Sequence, residues 1–198
     1  MPPQRKLSRQ KIVETAILIA NERGFKEVTL TAVANGLQVR LPSLYNHIDG
    51  IEDLRNHMRL WGMEMLTQCV LQEVDGKSGA DALRGVTIGY RKFAYDYPGL
   101  YPQTLMMDQF SHPKVSAAWE AFLQITLTVM AGYGLSGEEL IHAMRIMGSM
   151  MHGFVDVERA GGFIRSARVD ESYKRMMDLF ITGLDGFYKG GSGPSEEK

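Results

Sequence analysis

Residues 29–48 bring together hydrogen-bonding and phosphate-reaching side chains: Thr29, Thr31, Arg40, Ser43, Tyr45, Asn46 and His47. Ser43, Asn46 and His47 fall on the outer face of a short helix, with Tyr45 at its flank and Arg40 at its start. A helix of this kind fits a DNA major groove about 12 Å wide, where polar side chains reach base edges and phosphates. Thr29 and Thr31, near the start of the preceding helix, can bond phosphates alongside backbone N–H groups. The same residues also have a plainer reading, in which Tyr45 is core and His47 is an ordinary surface residue.

Two short helices with a tight turn between them must position these groups. The spacing predicts helices over 31–36 and 42–47. Leu30, Val33, Ala34 and Leu37 form the inner face of the first, and Val39 packs in the turn. Leu44 and Ile48 stand at i,i+4 on the inner face of the second. Ala34 is small enough to let the two helices cross closely. Ahead of them, Ser8 is the expected N-cap of a helix carrying Ile12, Ala16, Ile19 and Ala20, which stops at Gly24. Phe25 can then fold back on that stripe. Behind them, Asp49 with Glu52 reads as a capping box for a longer helix through Leu54, Met58, Trp61, Met65 and Cys69, ending at residues 75–76.

The remainder reads as long helices with short connections. They are expected at 78–97, at 101–110 as a short piece, from Pro113 to Gly132, from Ser136 to Gly161, and from Asp170 to about Lys189. Pro113 suits a first turn, and Ser136 with Glu139 reads as a second capping box. The fold class is therefore all-α, with about nine helices: an N-terminal three-helix, helix-turn-helix domain over 1–54 and a helical body over 55–189. The Gly/Ser/Pro/Glu-rich tail 190–198 is expected to be disordered.

Charge by itself decides little, because the formal net charge is −1. Residues 1–59 carry nine Lys/Arg against six Asp/Glu, and the remainder thirteen against seventeen. A basic N-terminal part is a hint of a DNA-facing end, or chance. The single cysteine, Cys69, permits no intrachain disulfide. With no signal-peptide pattern and no long apolar run, the chain reads as a cytoplasmic protein with no membrane partner. Dinucleotide, phosphate-loop, nucleophile-elbow and zinc-protease signatures are missing, so no enzyme activity is expected. His47, His57, His112, His142 and His152 make no standard zinc spacing with Cys69, and neither a metal nor a cofactor is expected.

Residues 8–54 resemble the tetracycline-repressor (TetR) type of bacterial regulator. The matching residues are Asn21-Glu22-Arg23-Gly24-Phe25, Val33-Ala34, Val39, and above all Leu44-Tyr45-Asn46-His47-Ile48 followed by Glu52-Asp53-Leu54. The C-terminal part is similar to a branch whose regulatory domain carries a tryptophan and a His-Gly pair, here Trp119 and His152-Gly153. The chain departs from the usual pattern at Gln38 and Pro42, where glycine is common, at Arg40, where serine is common, and at Ile51, where lysine is common. Those departures bear on operator preference.

The resemblance implies a homodimer on a palindromic double-stranded operator, and a repressor released by a small apolar or aromatic effector. It implies a ligand pocket among the central helices, with Tyr90, Phe93, Tyr97, Met106, Phe110, Trp119, Phe122, Met147 and Met151 as candidates. The thirteen methionines suit an adaptable pocket or serve as ordinary gap-fillers. The stripe Leu140, Met144, Met147 and Met151, the small residues Gly148, Ser149 and Gly153 beside it, and the apolar last helix suit a four-helix interface between two copies, or packing within one chain. His152 is a satisfied core histidine, a ligand contact or an interface residue, with Asp108, Asp156 and Glu158 as possible partners. Two rival functions remain at this level: a helical enzyme or carrier with a fortuitous motif, and an interaction module that has lost DNA binding.

Overall fold

The computed structural model describes residues 7–104 and 112–186. Met106, Phe110, Asp108, the end of the last expected helix and the tail 190–198 lie outside them. The described residues form eight α-helices and two 3₁₀ helices, with no strand. They divide into two compact units. One holds the chain up to Leu66 with Phe93–Glu120; the other holds Thr67–Lys92 and the chain from Ala121 onward.

The first unit begins with α1 (Arg9–Arg23). Ser8 Oγ accepts a hydrogen bond from the Lys11 N–H, and Gly24 ends the helix at φ +97°. Its inner face buries Ile12, Val13, Ala16, Ile17, Ile19 and Ala20. A 3₁₀ turn, Phe25–Glu27, brings the half-buried Phe25 against this core, as its position after Gly24 suggested. Next come α2 (Leu30–Gly36), a 3₁₀ helix Leu41–Asn46, and α3 (Ile51–Val74). Val33, Ala34, Leu44, Ile48, Leu54 and Met58 close the core over α1. Burying side chains of this kind contributes roughly 1.5–3 kcal/mol each before the entropy of ordering them is charged.

The same unit includes the end of α4 (Gly79–Asp96), the short α5 (Tyr101–Thr104) and the start of α6 (Pro113–Ala131). Gly99 stands where α4 gives way to α5. Its N–H donates to Asn21 Oδ1 at 3.1 Å, and a Cβ at Gly99 would collide with the Ala20 carbonyl. The chain can lie this close to the end of α1 only as glycine.

The second unit is built from the end of α3, most of α4, the rest of α6, α7 (Gly137–Arg159) and α8 (Val169–Leu184). Met147, Met151 and Val155 on α7 and Tyr173, Met177, Phe180, Ile181 and Leu184 on α8 are buried. Leu140 and Met144 of the expected stripe are only half-buried.

Both expected capping boxes are corrected. Gly50, at φ +128°, stands between Asp49 and α3, which shifts Asp49 one place too far out. Asp53 accepts the Asp49 N–H at 3.0 Å, while Glu52 pairs with Arg55. Ser136 is the N-cap residue of α7, but its hydroxyl makes no capping bond, and Gly137 follows at φ +57°.

Candidate nucleic-acid interface

The segment expected as a second α-helix over 42–47 is a 3₁₀ helix, Leu41–Asn46. Its bonds run i→i+3: the Ser43 N–H donates to the Arg40 carbonyl and the His47 N–H to that of Leu44, both at 2.9 Å. Pro42, with no N–H, sits in the first turn, where no donor is needed. At about three residues per turn, Arg40, Ser43 and Asn46 line up on one edge. The i+3 spacing also brings Leu41, Leu44 and His47 together on another.

Seating follows from that edge structure. Leu44 is fully buried and Ile48 nearly so, as their spacing suggested. Tyr45 is 55% exposed, so its reading as core is excluded. Arg40 and Asn46 are exposed, while Ser43 and His47 are half-buried. Thr29 and Thr31 are exposed at the start of α2. Thr29 is itself the N-cap: its Oγ1 accepts from the Ala32 N–H at 3.0 Å, leaving its hydroxyl proton to donate. The turn between the helices is closed by the Gln38 N–H to the Asn35 carbonyl and the Val39 N–H to the Ala34 carbonyl, both 3.0 Å. Gln38 there has φ +54°. This is a position that favours glycine.

One contact escaped the sequence reading. Arg9 Nε donates to the His47 carbonyl at 2.8 Å, tying the first residue of α1 to the end of the 3₁₀ helix. No periodic pattern links residues so far apart. Near it, burial holds the His57 imidazole below its ordinary range. Asp53, 3.6 Å away, opposes that shift, while Arg9, Lys114 and His112 add to it.

The candidate pocket residues fall in both units. In the first, Phe93 is buried, its ring centroid 5.5 Å from that of the half-buried Tyr97, which meets Trp61 edge-on at 5.0 Å. Trp119 is half-buried. In the second, Tyr90, Phe122, Met147 and Met151 are buried. Tyr90 Oη lies 3.2 Å from His152 Nδ1, and His152 Nε2 lies 3.2 Å from Asp156 Oδ2. His152 is therefore not a core histidine: its side chain is 48% exposed, and of its possible partners Asp156 lies within reach, while Asp108 falls outside the described residues. Glu158 turns instead to Arg91. Among the described residues no helix is long and apolar enough to cross a membrane.

Comparison with known proteins agrees with this geometry. Residues 83–180 match a family described as "Tetracyclin repressor-like, C-terminal domain". The HTH-type transcriptional regulator Rv0681 of Mycobacterium tuberculosis is 34% identical over 79% of this chain and 72% of its own length. YobS of Bacillus subtilis, also an HTH-type transcriptional regulator, is 30% identical over 93% of this chain and 96% of its own. Among solved structures, the transcriptional regulator SCO7222, a TetR from Streptomyces coelicolor, superimposes with a TM-score of 0.74 at 18% identity. The match covers 92% of this chain and all of the other. A variant of TetR from Acinetobacter baumannii in complex with minocycline gives 0.68 at 16% identity, over 97% of this chain and 99% of its own. A helix-turn-helix seated on α1, an all-helical body and these relatives agree: the chain belongs to the TetR family of HTH-type transcriptional regulators.

Proposed function

We propose that this regulator binds double-stranded operator DNA as a homodimer, through Thr29, Thr31, Arg40, Ser43, Tyr45, Asn46 and His47 of its 1–54 domain. It acts as a repressor, released when a small apolar or aromatic molecule binds the helical body 55–189. The observation that carries the reading is the division of the 3₁₀ helix: Leu44 is buried in the core while Arg40, Tyr45 and Asn46 stand in solvent. An exposed tyrosine beside an arginine and an asparagine has no packing role to explain it. Phosphate and base-edge contacts supply one.

The dimer is supported by an apolar groove of about 370 Å³ along α7 and α8, lined by Ala143, Ile146, Met150, Leu179, Phe180, Gly183 and Leu184. Ile146 and Leu179 are exposed there. A Cβ at Gly148 or Gly183 would meet nothing within 4 Å among the described residues, so packing there does not require these helical glycines. They leave room for the close approach of a second pair of helices. Two-fold symmetry then sets half-sites about one helical turn, ~34 Å, apart. The effector acts by binding the DNA-incompetent arrangement more tightly, which weakens operator binding by the same coupling.

A mobility-shift titration on the DNA upstream of the protein's own gene tests this reading. Salt-sensitive binding that is weakened about tenfold in Arg40→Ala and Tyr45→Ala variants is the expected result. Binding to no promoter fragment, or binding indifferent to both substitutions, counts against it.

A further inference from the structure

The 3₁₀ helix ends in a carbonyl, and a helix end of carbonyls carries partial negative charge that repels phosphate. In this chain that end is covered by a cation from elsewhere. Arg9 Nε donates to the His47 carbonyl at 2.8 Å across 38 positions of sequence. That bond uses one of the five guanidinium donors. The Arg9 side chain is exposed, and its Nη groups have no ion pair or hydrogen-bond partner among the described residues. The guanidinium is therefore held in place through Nε, with its Nη donors available to a ligand.

Arg40 is the N-cap of the same 3₁₀ helix and is also exposed. From residue 40 to residue 47 the chain advances roughly 14 Å at about 2.0 Å per residue. A major groove is about 12 Å wide between the phosphate chains that wall it. One arginine thus stands at each end of a segment whose backbone advance is close to the width of the groove.

We propose that Arg9 is a DNA-contacting residue as well as a positioning one. Its Nε fixes the end of the 3₁₀ helix through the His47 carbonyl, and its Nη groups bind a backbone phosphate on the groove wall opposite the one reached by Arg40. The proposal rests on the reading of residues 29–48 as the DNA-binding element.

The test is fluorescence anisotropy of the full chain on the DNA upstream of its own gene, repeated from about 50 to 200 mM salt, where phosphate contacts dominate the response. Each lost phosphate contact lowers the slope of log affinity against log salt by about one, so about two per dimer. Arg9→Gln is expected to show that drop, with binding about ten- to a hundredfold weaker at low salt. Arg9→Lys keeps the charge but cannot serve carbonyl and phosphate with one planar fork. It is expected to keep the slope and lose affinity severalfold. A wild-type slope in a folded Arg9→Gln variant, with or without weaker binding, overturns the phosphate contact. Failure of the wild-type chain to bind with any salt dependence overturns the underlying reading, and this proposal with it.

Discussion

Arg91 on α4 and Glu158 on α7 are joined by two parallel hydrogen bonds, Nε to Oε2 at 2.9 Å and Nη2 to Oε1 at 2.6 Å. The side chains are 16% and 9% exposed. The same Nη2 also donates to Asp170 Oδ1 at 2.9 Å, and the guanidinium lies 4.9 Å from the Tyr173 ring centroid. Tyr173 Oη in turn donates to the Thr87 carbonyl at 2.8 Å. One arginine therefore ties α4 to the end of α7 and the start of α8. Removing it strands a largely buried carboxylate, which typically costs about 3–5 kcal/mol. Arg91→Ala is expected near the lower end of that range, because Asp170 is exposed and re-solvates. Glu158→Gln keeps an acceptor in place and is expected to cost about 1–2 kcal/mol. Urea denaturation of both variants checks the order. A loss under about 1 kcal/mol for Arg91→Ala would reduce the pair to a surface ion pair in energetic terms.

Adjacent residues in the 3₁₀ helix are expected to separate stability from function. Leu44→Ala removes a fully buried side chain and is expected to destabilise the chain by about 2–5 kcal/mol. Tyr45→Ala removes an exposed one and is expected to leave stability within about 0.5 kcal/mol. Its effect should fall on DNA, with affinity lowered about tenfold, or about 1.4 kcal/mol. Thermal melting and anisotropy on the same two preparations give both numbers. A Tyr45→Ala variant that melts much lower than wild type would return Tyr45 to the core.

The helices were legible where the signal is local. Ser8 caps α1, Gly24 ends it, and the i,i+4 pair Leu44 and Ile48 seats the motif, because each rests on neighbours within a turn or two. The 3₁₀ character of Leu41–Asn46 was not legible: six residues are too few to separate a period of 3.0 from one of 3.6. Asp53 replaced Glu52 as the partner of Asp49 because the φ +128° of Gly50 shifted the frame by one residue. Arg9 with the His47 carbonyl and Arg91 with Glu158 join residues 38 and 67 positions apart, and such distant polar contacts leave no pattern in a single sequence. His152 drew attention as a polar residue on an apolar helix, yet it lies on the exposed side of that helix, beside Tyr90 and Asp156.

Gln38 holds φ +54° in the turn between α2 and the 3₁₀ helix, the one non-glycine with positive φ among the described residues. For a residue with a Cβ this conformation costs roughly 1–2 kcal/mol. Glycine removes that cost but loses more chain entropy on folding, by roughly 0.5–1 kcal/mol. Gln38→Gly is therefore expected to stabilise the chain by up to about 1 kcal/mol, and Gln38→Val to destabilise it. Opposite shifts in melting temperature check this; a destabilised glycine variant would mean that the glutamine side chain contributes contacts of its own.

Leu179 is 73% exposed on the apolar groove of α7 and α8. A carboxylate there would be buried unpaired in a dimer but solvated in a monomer. Leu179→Glu is expected to weaken self-association at least a hundredfold, about 2.7 kcal/mol, while leaving the helical content intact. Sedimentation across a concentration series reads this directly. Operator binding should fall with it, because one half-site supplies only part of the contact. A variant that remains dimeric would place the interface elsewhere.

His57 offers a test in pH. Burial lowers its folded pKa below the ordinary value of 6.5; Asp53 opposes this, and Arg9, Lys114 and His112 reinforce it. The unfolded chain therefore binds the proton more readily than the folded one. The resulting stability is fully present above about pH 6.5 and is lost as pH falls from there through the lower folded value. His57→Gln takes no proton in this range. Its stability is expected to decline less steeply than wild type between about pH 7 and pH 5, with the two curves parallel above pH 7. Urea midpoints measured at half-unit intervals check the slopes. Identical slopes through the acid range would show that protonating His57 costs the folded chain nothing, and that Asp53 offsets the burial in full.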